Sequence, residues 1–185
     1  NSTHSLFCHM SSRVLISLCF LIIVFFSLSP KALATSSTVI LSEIQITGGT
    51  GHTDDDFVEL YNPTSLPIDI SDFRLRYKNS KGTEGPLRVF GSGSCIPAQG
   101  FFLWANSKGV FAPLADTTTS GALSSDYSVL LYPKEGTTPL DTVSFGTGTT
   151  LPNPGTNQSL SRNTTDLIWS LTTTPTPTKS TPCPP

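Results

Sequence analysis

The distribution of turn-forming residues constrains the fold of this chain more than any other feature of its sequence. Short runs rich in β-branched and aromatic residues are separated by clusters such as NPTSLP, NSKGTEGP, PAQG and PNPG, in which Pro, Gly and Asn favour chain reversal. No segment after residue 34 shows sustained helical periodicity. The sequence therefore predicts an all-β fold, and the spacing of the runs is typical of a two-sheet β-sandwich.

The predicted strands are the runs that combine β-branched or aromatic residues with turn signals at both ends. They cover residues 39–47, 57–61, 68–78, 87–90, 100–105, 127–132 and 140–145, with shorter strands at 159–162 and 167–169.

Alternation of side chains along each strand predicts which residues reach the core. In FVELY, Val58 and Leu60 share the inward face, and Glu59 lies on the opposite face. In VILSEIQI, Ile40 is expected to face inward and Glu43 outward. The full set of predicted core residues is Ile40, Ile44, Ile46, Val58, Leu60, Phe73, Leu75, Tyr77, Phe102 and Trp104.

The N-terminal 34 residues have the pattern of an upstream extension followed by a secretory signal peptide. Arg13 precedes an apolar run over 14–28, and Ala32 and Ala34 form a small-x-small cleavage site. The run is shorter than the about 20 residues that span a bilayer, so we expect cleavage after Ala34 and no stable membrane anchor. The product is then expected to be secreted or held at the cell surface.

The mature chain is expected to hold one domain over 35–170 and a Thr/Pro-rich tail or linker over 171–185. Alternating Thr and Pro in TTTPTPTKSTPCPP neither supply apolar side chains for a core nor donate a full set of ladder hydrogen bonds. Composition alone therefore predicts an extended linker or stalk for this segment.

Charge argues against nucleic acid as the expected partner. The chain carries 11 Lys and Arg against 13 Asp and Glu, a formal net charge of −2, and loss of Arg13 and Lys31 with the signal peptide makes it more acidic. Phosphate binding usually requires a clustered basic face. The one candidate for such a face is Arg74, Arg76 and Lys78, which alternate outward in FRLRYK and give an alternative function, binding of DNA or an anionic wall polymer.

Two cysteines remain after the signal peptide, Cys95 and Cys183. In an oxidising compartment they are candidates for a disulfide that ties the tail to the domain. The alternative is a pair of free thiols, or a partner for Cys183 elsewhere.

The acidic residues have either a structural role or one of two functional roles, as catalytic acids or as calcium ligands. Glu43 and Glu59 are expected on a solvated sheet face, paired with bases on neighbouring strands, although two carboxylates could also act as the acid and base of a glycosidase. Asp54, Asp55 and Asp56 are candidate calcium ligands, or else a polar loop that discourages aggregation. No cofactor other than calcium is indicated.

Motifs for nucleophilic or zinc catalysis are missing from the mature sequence. His52 is its single histidine, which is too few for a two-histidine zinc site, and no serine has glycines two residues away on both sides. We therefore assign no catalytic residues and predict that the chain is not an enzyme.

Read in order, ILSEI, DDDFVELYNPTSLPIDISDFRL, IPAQGFFLWA, LDTV and GTNQSLSRN resemble the lamin tail domain as it occurs in secreted bacterial proteins. The similarity extends from about residue 39 to 169, and its most specific part is FVELYNPTSLPIDISDFRL. The family commonly has glycine or a small residue where this chain has Asp72. The resemblance implies an immunoglobulin-like β-sandwich without shared catalytic residues.

The resemblance also implies a binding or scaffolding role for the module, with a ligand that the fold does not fix. We therefore predict a secreted, non-catalytic binding, adhesion or scaffolding module whose partner is an extracellular or cell-surface macromolecule. The alternative from another class is an accessory domain of an extracellular hydrolase.

Overall fold

A computed structural model describes residues 38–183, and this part of the chain consists of strands, turns and loops. The all-β prediction is confirmed. The strands are β1 (Ile40–Gln45), β2 (Phe57–Tyr61), β3 (Ile68–Asp69), β4 (Arg74–Lys78), β5 (Glu84–Val89), β6 (Cys95–Ile96), β7 (Phe101–Asn106), β8 (Thr117–Thr119), β9 (Ser128–Tyr132), β10 (Asp141–Ser144), β11 (Ser159–Arg162) and β12 (Trp169–Thr172). The predicted signal peptide lies outside the described residues. Within 38–183, no helix is long and apolar enough to cross a membrane.

Two main sheets pack face to face. One has six strands in the order β12-β11-β1-β2-β7-β8, and the other has four in the order β10-β9-β4-β5; β3 and β6 form a separate short pair. All pairings are antiparallel except that of β7 with β8. The predicted immunoglobulin-like two-sheet sandwich is confirmed.

The predicted strand over 68–78 is two strands separated by a turn. Asp69 accepts the N–H of Ser71, and Asp72 has a φ of 64°, a left-handed conformation that ends the extended backbone. Aspartate tolerates this conformation better than most residues because its short polar side chain can bond locally. A positive φ here also explains why glycine suits this position.

The core lies between the two main sheets, as the alternation in FVELY and FRLRYK predicts. Val58, Leu60 and Leu75 are fully buried in it, and Phe73 and Tyr77 pack at its margin. The largest fully buried side chains, which are all apolar, are Trp104, Phe57, Phe90, Phe145, Leu41, Ile44, Leu60, Ile70, Leu75, Ile96, Leu103 and Leu131. Burial of a side chain of this size contributes roughly 1.5–3 kcal/mol.

The alternation predicted for β1 is wrong at Ile40. A bulge between Leu41 and Glu43 shifts the register of β1 against β2, so Leu41 enters the core cluster in place of Ile40 and Ile44 follows it. Asp141 of β10 accepts the N–H of Leu41 at 2.8 Å, beside the bulge. This bond joins an edge strand of the four-stranded sheet to the centre of the six-stranded sheet.

The face of the six-stranded sheet that points away from the sandwich core is also covered. Phe57, Leu103 and Ala105 form a second buried cluster under Phe111 and Ala115 of the loop after β7. The rings of Phe57 and Phe111 meet edge to face, with centroids 5.0 Å apart. We call this side the outer face, and its remaining part carries the candidate site.

Candidate functional site

Glu43 of β1 and Glu59 of β2 are direct partners in the antiparallel register. They lie on the outer face, as alternation predicts for Glu59, but the expectation that they are solvated is wrong. Their exposed fractions are 2% and 3%. Bases on neighbouring strands, which the sequence suggested as partners, do not pair with either of them in the described part of the chain.

The covering element is the Thr/Pro tail. The backbone N–H of Thr176 donates to Glu43 Oε1 at 2.9 Å, and the Thr176 hydroxyl donates to Glu43 Oε2 at 2.9 Å. The N–H of Thr178 donates to Glu59 Oε2 at 2.8 Å. Composition predicts a linker here, whereas the structure places this segment on the sheet.

Two buried or nearly buried serines complete the hydrogen bonding from the sheet side. Ser42, the residue within the bulge, donates its hydroxyl to Glu59 Oε1 at 2.7 Å. Ser159 of β11 donates its hydroxyl to Glu43 Oε1. Each glutamate is thus held between a serine from the sheet and a threonine from the tail.

A third carboxylate continues the same line across the sheet. Asp116, just before β8, accepts the N–H of Leu103 at 2.8 Å and the N–H of Ser180 at 3.4 Å through its Oδ2 atom. We call Glu43, Glu59 and Asp116 the carboxylate track. The N–H groups that face the track come from residues 176, 178 and 180.

From residue 176 to residue 180, the backbone N–H of every second residue therefore points to the sheet. Pro175 and Pro177, which have no N–H to donate, occupy the alternate positions, and so does Lys179. Prolines are compatible with this segment because they stand where no donor is required. The alternation of donors is present in the sequence TPTPTKS, and it is the signal from which the site could have been predicted.

A disulfide between Cys95 of β6 and Cys183 fixes the far end of the tail, with Cα atoms 6.2 Å apart. The strand that carries Cys95 is held in turn by the NP turn. Asn62 is fully buried, and its amide donates to the carbonyl groups of Leu66, Ile96 and Pro97. The YNP motif thereby positions the anchor of the tail.

Burial dominates the electrostatics of the track. It raises the pKa of Glu59 from 4.5 to about 7, although hydrogen bonds from Ser42 and Thr178 oppose the shift, and the charge of Glu43 adds to it. Burial also raises the pKa of Asp116, against the bonds from Leu103 and Ser180. Burial therefore favours the protonated form of Glu59 and Asp116, whereas the hydrogen bonds that the tail donates favour the ionised form.

This arrangement does not suit glycosidase chemistry, the alternative raised for Glu43 and Glu59. A substrate sugar would have to lie between the two carboxyl groups, one of which protonates the leaving oxygen. Threonines of the tail already occupy the hydrogen-bonding positions of both acids. Both acids also border a cavity of about 360 Å³, which is lined by Thr176 and Thr178 as well as Phe101, Arg162 and residues 163–165, so it is the hydrogen bonds from the tail, and not the lack of a cavity, that disfavour this chemistry.

The structure does not bring Asp54, Asp55 and Asp56 together as a cation site. Asp55 pairs with His52 at 3.3 Å and accepts the N–H of Val110 at 2.9 Å. Within residues 38–183, no group of three or more His, Cys, Asp or Glu side chains is arranged to hold a metal ion. Calcium binding by this loop therefore stays an untested alternative to the polar-loop interpretation.

Asp56 has a different environment from the other two aspartates. It is fully buried, and its Oδ2 atom accepts the side-chain N–H of Asn106 at 3.1 Å. Burial raises its pKa from 3.8 to about 7, although the Asn106 bond lowers it. Asp56 is thus a structural acid that links the start of β2 to the end of β7.

The basic residues of β4 point outward as predicted, but two of the three are engaged. Arg74 donates to the carbonyl groups of Pro133 and Gly136 and lies over the Tyr132 ring at 5.1 Å. Arg76 pairs with Glu84 at 3.4 Å.

Lys78, the third of them, is exposed. The structure therefore does not present these three side chains as a free basic patch.

Comparison with known proteins places these features in a family. The model of the Lamin Tail Domain matches residues 32–147, more than half of the chain. The chain belongs to the Lamin Tail Domain family. A search of the curated proteins found no relative that matches.

The residues matched by the Lamin Tail Domain model include the carboxylate track but not the tail that covers it. Glu43, Glu59 and Asp116 lie inside the matched residues, whereas β11, β12 and the tail follow them. The segment after 147 nevertheless completes the domain, since β11 pairs with β1 and brings Ser159 to Glu43. The site thus combines residues of the matched region with residues beyond it.

Proposed function

We propose that this member of the Lamin Tail Domain family is a secreted or cell-surface module that binds or scaffolds another extracellular macromolecule. In this proposal it has no catalytic activity of its own. Membership of the family supports the non-catalytic role, since the family is an immunoglobulin-like domain. The ligand-binding surface would lie outside the sealed part of the outer face.

The observation that carries the proposal is the tail held over the carboxylate track by the Cys95–Cys183 disulfide. The two acids best placed for acid–base chemistry, Glu43 and Glu59, are only 2% and 3% exposed and already accept hydrogen bonds from the tail. A module whose acidic residues are covered by a disulfide-linked tail is better suited to binding a partner than to catalysing a reaction.

The disulfide also supports the proposed location. Disulfides persist in oxidising compartments, and the predicted signal peptide would deliver the chain to one. An accessory domain of an extracellular hydrolase would use the same module beside a separate catalytic domain. Binding to DNA or an anionic polymer is less well supported, because Arg74 and Arg76 are occupied by partners of the chain itself.

The test uses the chain exported from cells with its N-terminal segment intact. We expect the product to begin at Thr35 and its two cysteines to resist alkylation until a reductant is added. The secreted protein should bind saturably to the surface of the producing cells and should hydrolyse no glycosidic substrate of a test panel. Hydrolysis that Glu59→Gln abolishes would overturn the non-catalytic role, and a product that begins near Met10 would overturn the proposed cleavage after Ala34 and favour an uncleaved membrane anchor.

A further inference from the structure

The carboxylate track is built across the strands, and the tail follows it in even steps. Glu43 lies on β1, Glu59 on the neighbouring β2, and Asp116 is bonded to Leu103 of the next strand, β7. Adjacent strands are about 4.8 Å apart, and two residues of a β-extended segment advance by about 6.6 Å. An extended chain that crosses the sheet obliquely therefore brings one N–H to each strand for every two residues.

These contacts define what the track recognises. Each carboxylate accepts a backbone N–H, and Glu43 accepts the Thr176 hydroxyl as well. The intervening residues need no N–H, which is why proline is compatible at 175 and 177. The matching ligand is an extended segment with donors at every second residue and proline tolerated between them.

We propose that the carboxylate track is a binding site for extended Thr/Pro-rich segments, and that the tail of a second copy of this chain occupies it in exchange for the chain's own tail. The proposal does not depend on the ligand of the module's other surfaces. It makes the tail a ligand that is held in place by its own contacts and then secured by the disulfide.

The second copy is the partner because its tail is the one segment that the structure shows to fit. Exchange also has a natural pivot after β12. The N–H of Thr174, between β12 and the track, donates to the hydroxyl of Thr172, which is a contact within the link itself. Rotation of this link would carry residues 176–183 to a neighbouring molecule without altering either sandwich, as in domain swapping.

Mass action sets when exchange occurs. A tail on a short link is present at an effective concentration of roughly millimolar at its own track, so dilute copies hold their own tails. Copies crowded to a comparable local concentration would exchange tails. The Cys95–Cys183 bond then records the exchange covalently, since it forms between the tail of one copy and the β6 strand of the other.

The test uses two full-length variants in which Cys8 and Cys19 are also serine. The tail donor carries Cys95→Ser and keeps Cys183, and it also carries Glu59→Ala, so that Thr178 has no acceptor on the donor's own track; the track acceptor carries Cys183→Ser and keeps Cys95 and Glu59. Neither can form the bond within one copy. We mix them in a thiol redox buffer, measure the yield of linked heterodimer on non-reducing gels, and identify the linked peptides by mass spectrometry.

Thr178→Pro supplies the decisive comparison because it removes the N–H donated to Glu59 and keeps the tail extended. In the tail donor it should lower the yield of heterodimer about tenfold, the expected effect of losing one hydrogen bond to a charged group. In the track acceptor the same change weakens the competing tail and should raise the yield. Thr181→Pro is the matched control, since residue 181 alternates with the donors at 176, 178 and 180, and it should alter neither.

A yield that does not depend on Thr178→Pro, or that changes in the same direction in both partners, would overturn the proposal, since random collision of thiols predicts that result. Hydrogen exchange of the unmodified chain after reduction covers the case in which a variant misfolds. The amides of Thr176 and Thr178 should stay protected without the disulfide if the track binds the tail by itself. Exchange at the rate of an open chain would refute the site.

Discussion

Glu43 and Glu59 face each other across β1 and β2 and are buried by one segment of the tail, residues 176–178. Burial raises the pKa of Glu59, and the charge of the neighbouring Glu43 adds to the shift. The same contact that closes the outer face therefore couples folding to proton uptake. The coupling leads to the first prediction.

Stability should fall as pH rises from about 4.5 to about 7. The folded chain holds a proton on Glu59, whose pKa is about 7, where the unfolded chain with a pKa of 4.5 has released it. Folding therefore binds protons in this window, and the stabilisation present below 4.5 is lost as pH passes 7. The shift corresponds to roughly 3 kcal/mol in the free energy of unfolding.

Urea unfolding at several pH values between 4.5 and 8 measures this dependence, and Glu59→Gln should flatten it. Asp56, with a pKa of about 7 as well, adds a slope of the same sign that Asp56→Asn should remove separately. Stability that rises with pH across this window would contradict the assignment.

Substitution of a core leucine should lower the free energy of unfolding much more than substitution of an exposed leucine. Leu60 is fully buried between the sheets, and Leu66 in the following loop is 71% exposed. Leu60→Ala should lower the free energy of unfolding by about 2–5 kcal/mol through lost contacts and a cavity, whereas Leu66→Ala should change it by less than about 0.5 kcal/mol. If chemical denaturation showed the same loss of stability for both variants, Leu60 would not lie in the core.

The sequence predicts the sandwich well because its strands obey local rules. In FVELY, the period of two correctly puts Val58 and Leu60 inside, since β2 pairs regularly on both sides. The same rule fails in β1, where the bulge before Glu43 depends on the bond from Leu41 to Asp141 of β10, a contact that no local pattern reveals.

Burial of the track could not be read locally either. The donor to Glu59 lies at Thr178, 119 residues away in sequence, inside a run whose composition resembles a linker. A composition dominated by Thr and Pro suggests disorder. The alternation of the two residue types, however, places a backbone N–H donor at every second position. Pattern within the run, and not its composition, carries the structural information.

The aspartate loop should not respond to calcium. A cation held by Asp55 would have to displace His52 and the N–H of Val110, which already satisfy that carboxylate. We expect equal melting temperatures in millimolar calcium and in chelator, because a ligand that binds only the folded state must stabilise it. A calcium-dependent rise that disappears when Asp54, Asp55 and Asp56 are all changed to Asn would establish the site.

Loss of the disulfide should lower stability without altering the fold. The bond closes a segment with a sequence separation of 88, for which restriction of the unfolded chain gives a stabilisation of about 2–4 kcal/mol. Cys95→Ser, Cys183→Ser and the double variant should show the same loss in urea unfolding, since each removes the same bond. All three should match the wild-type chain in reductant. Additive losses in the double variant would show that the two cysteines contribute to stability separately and not through their bond.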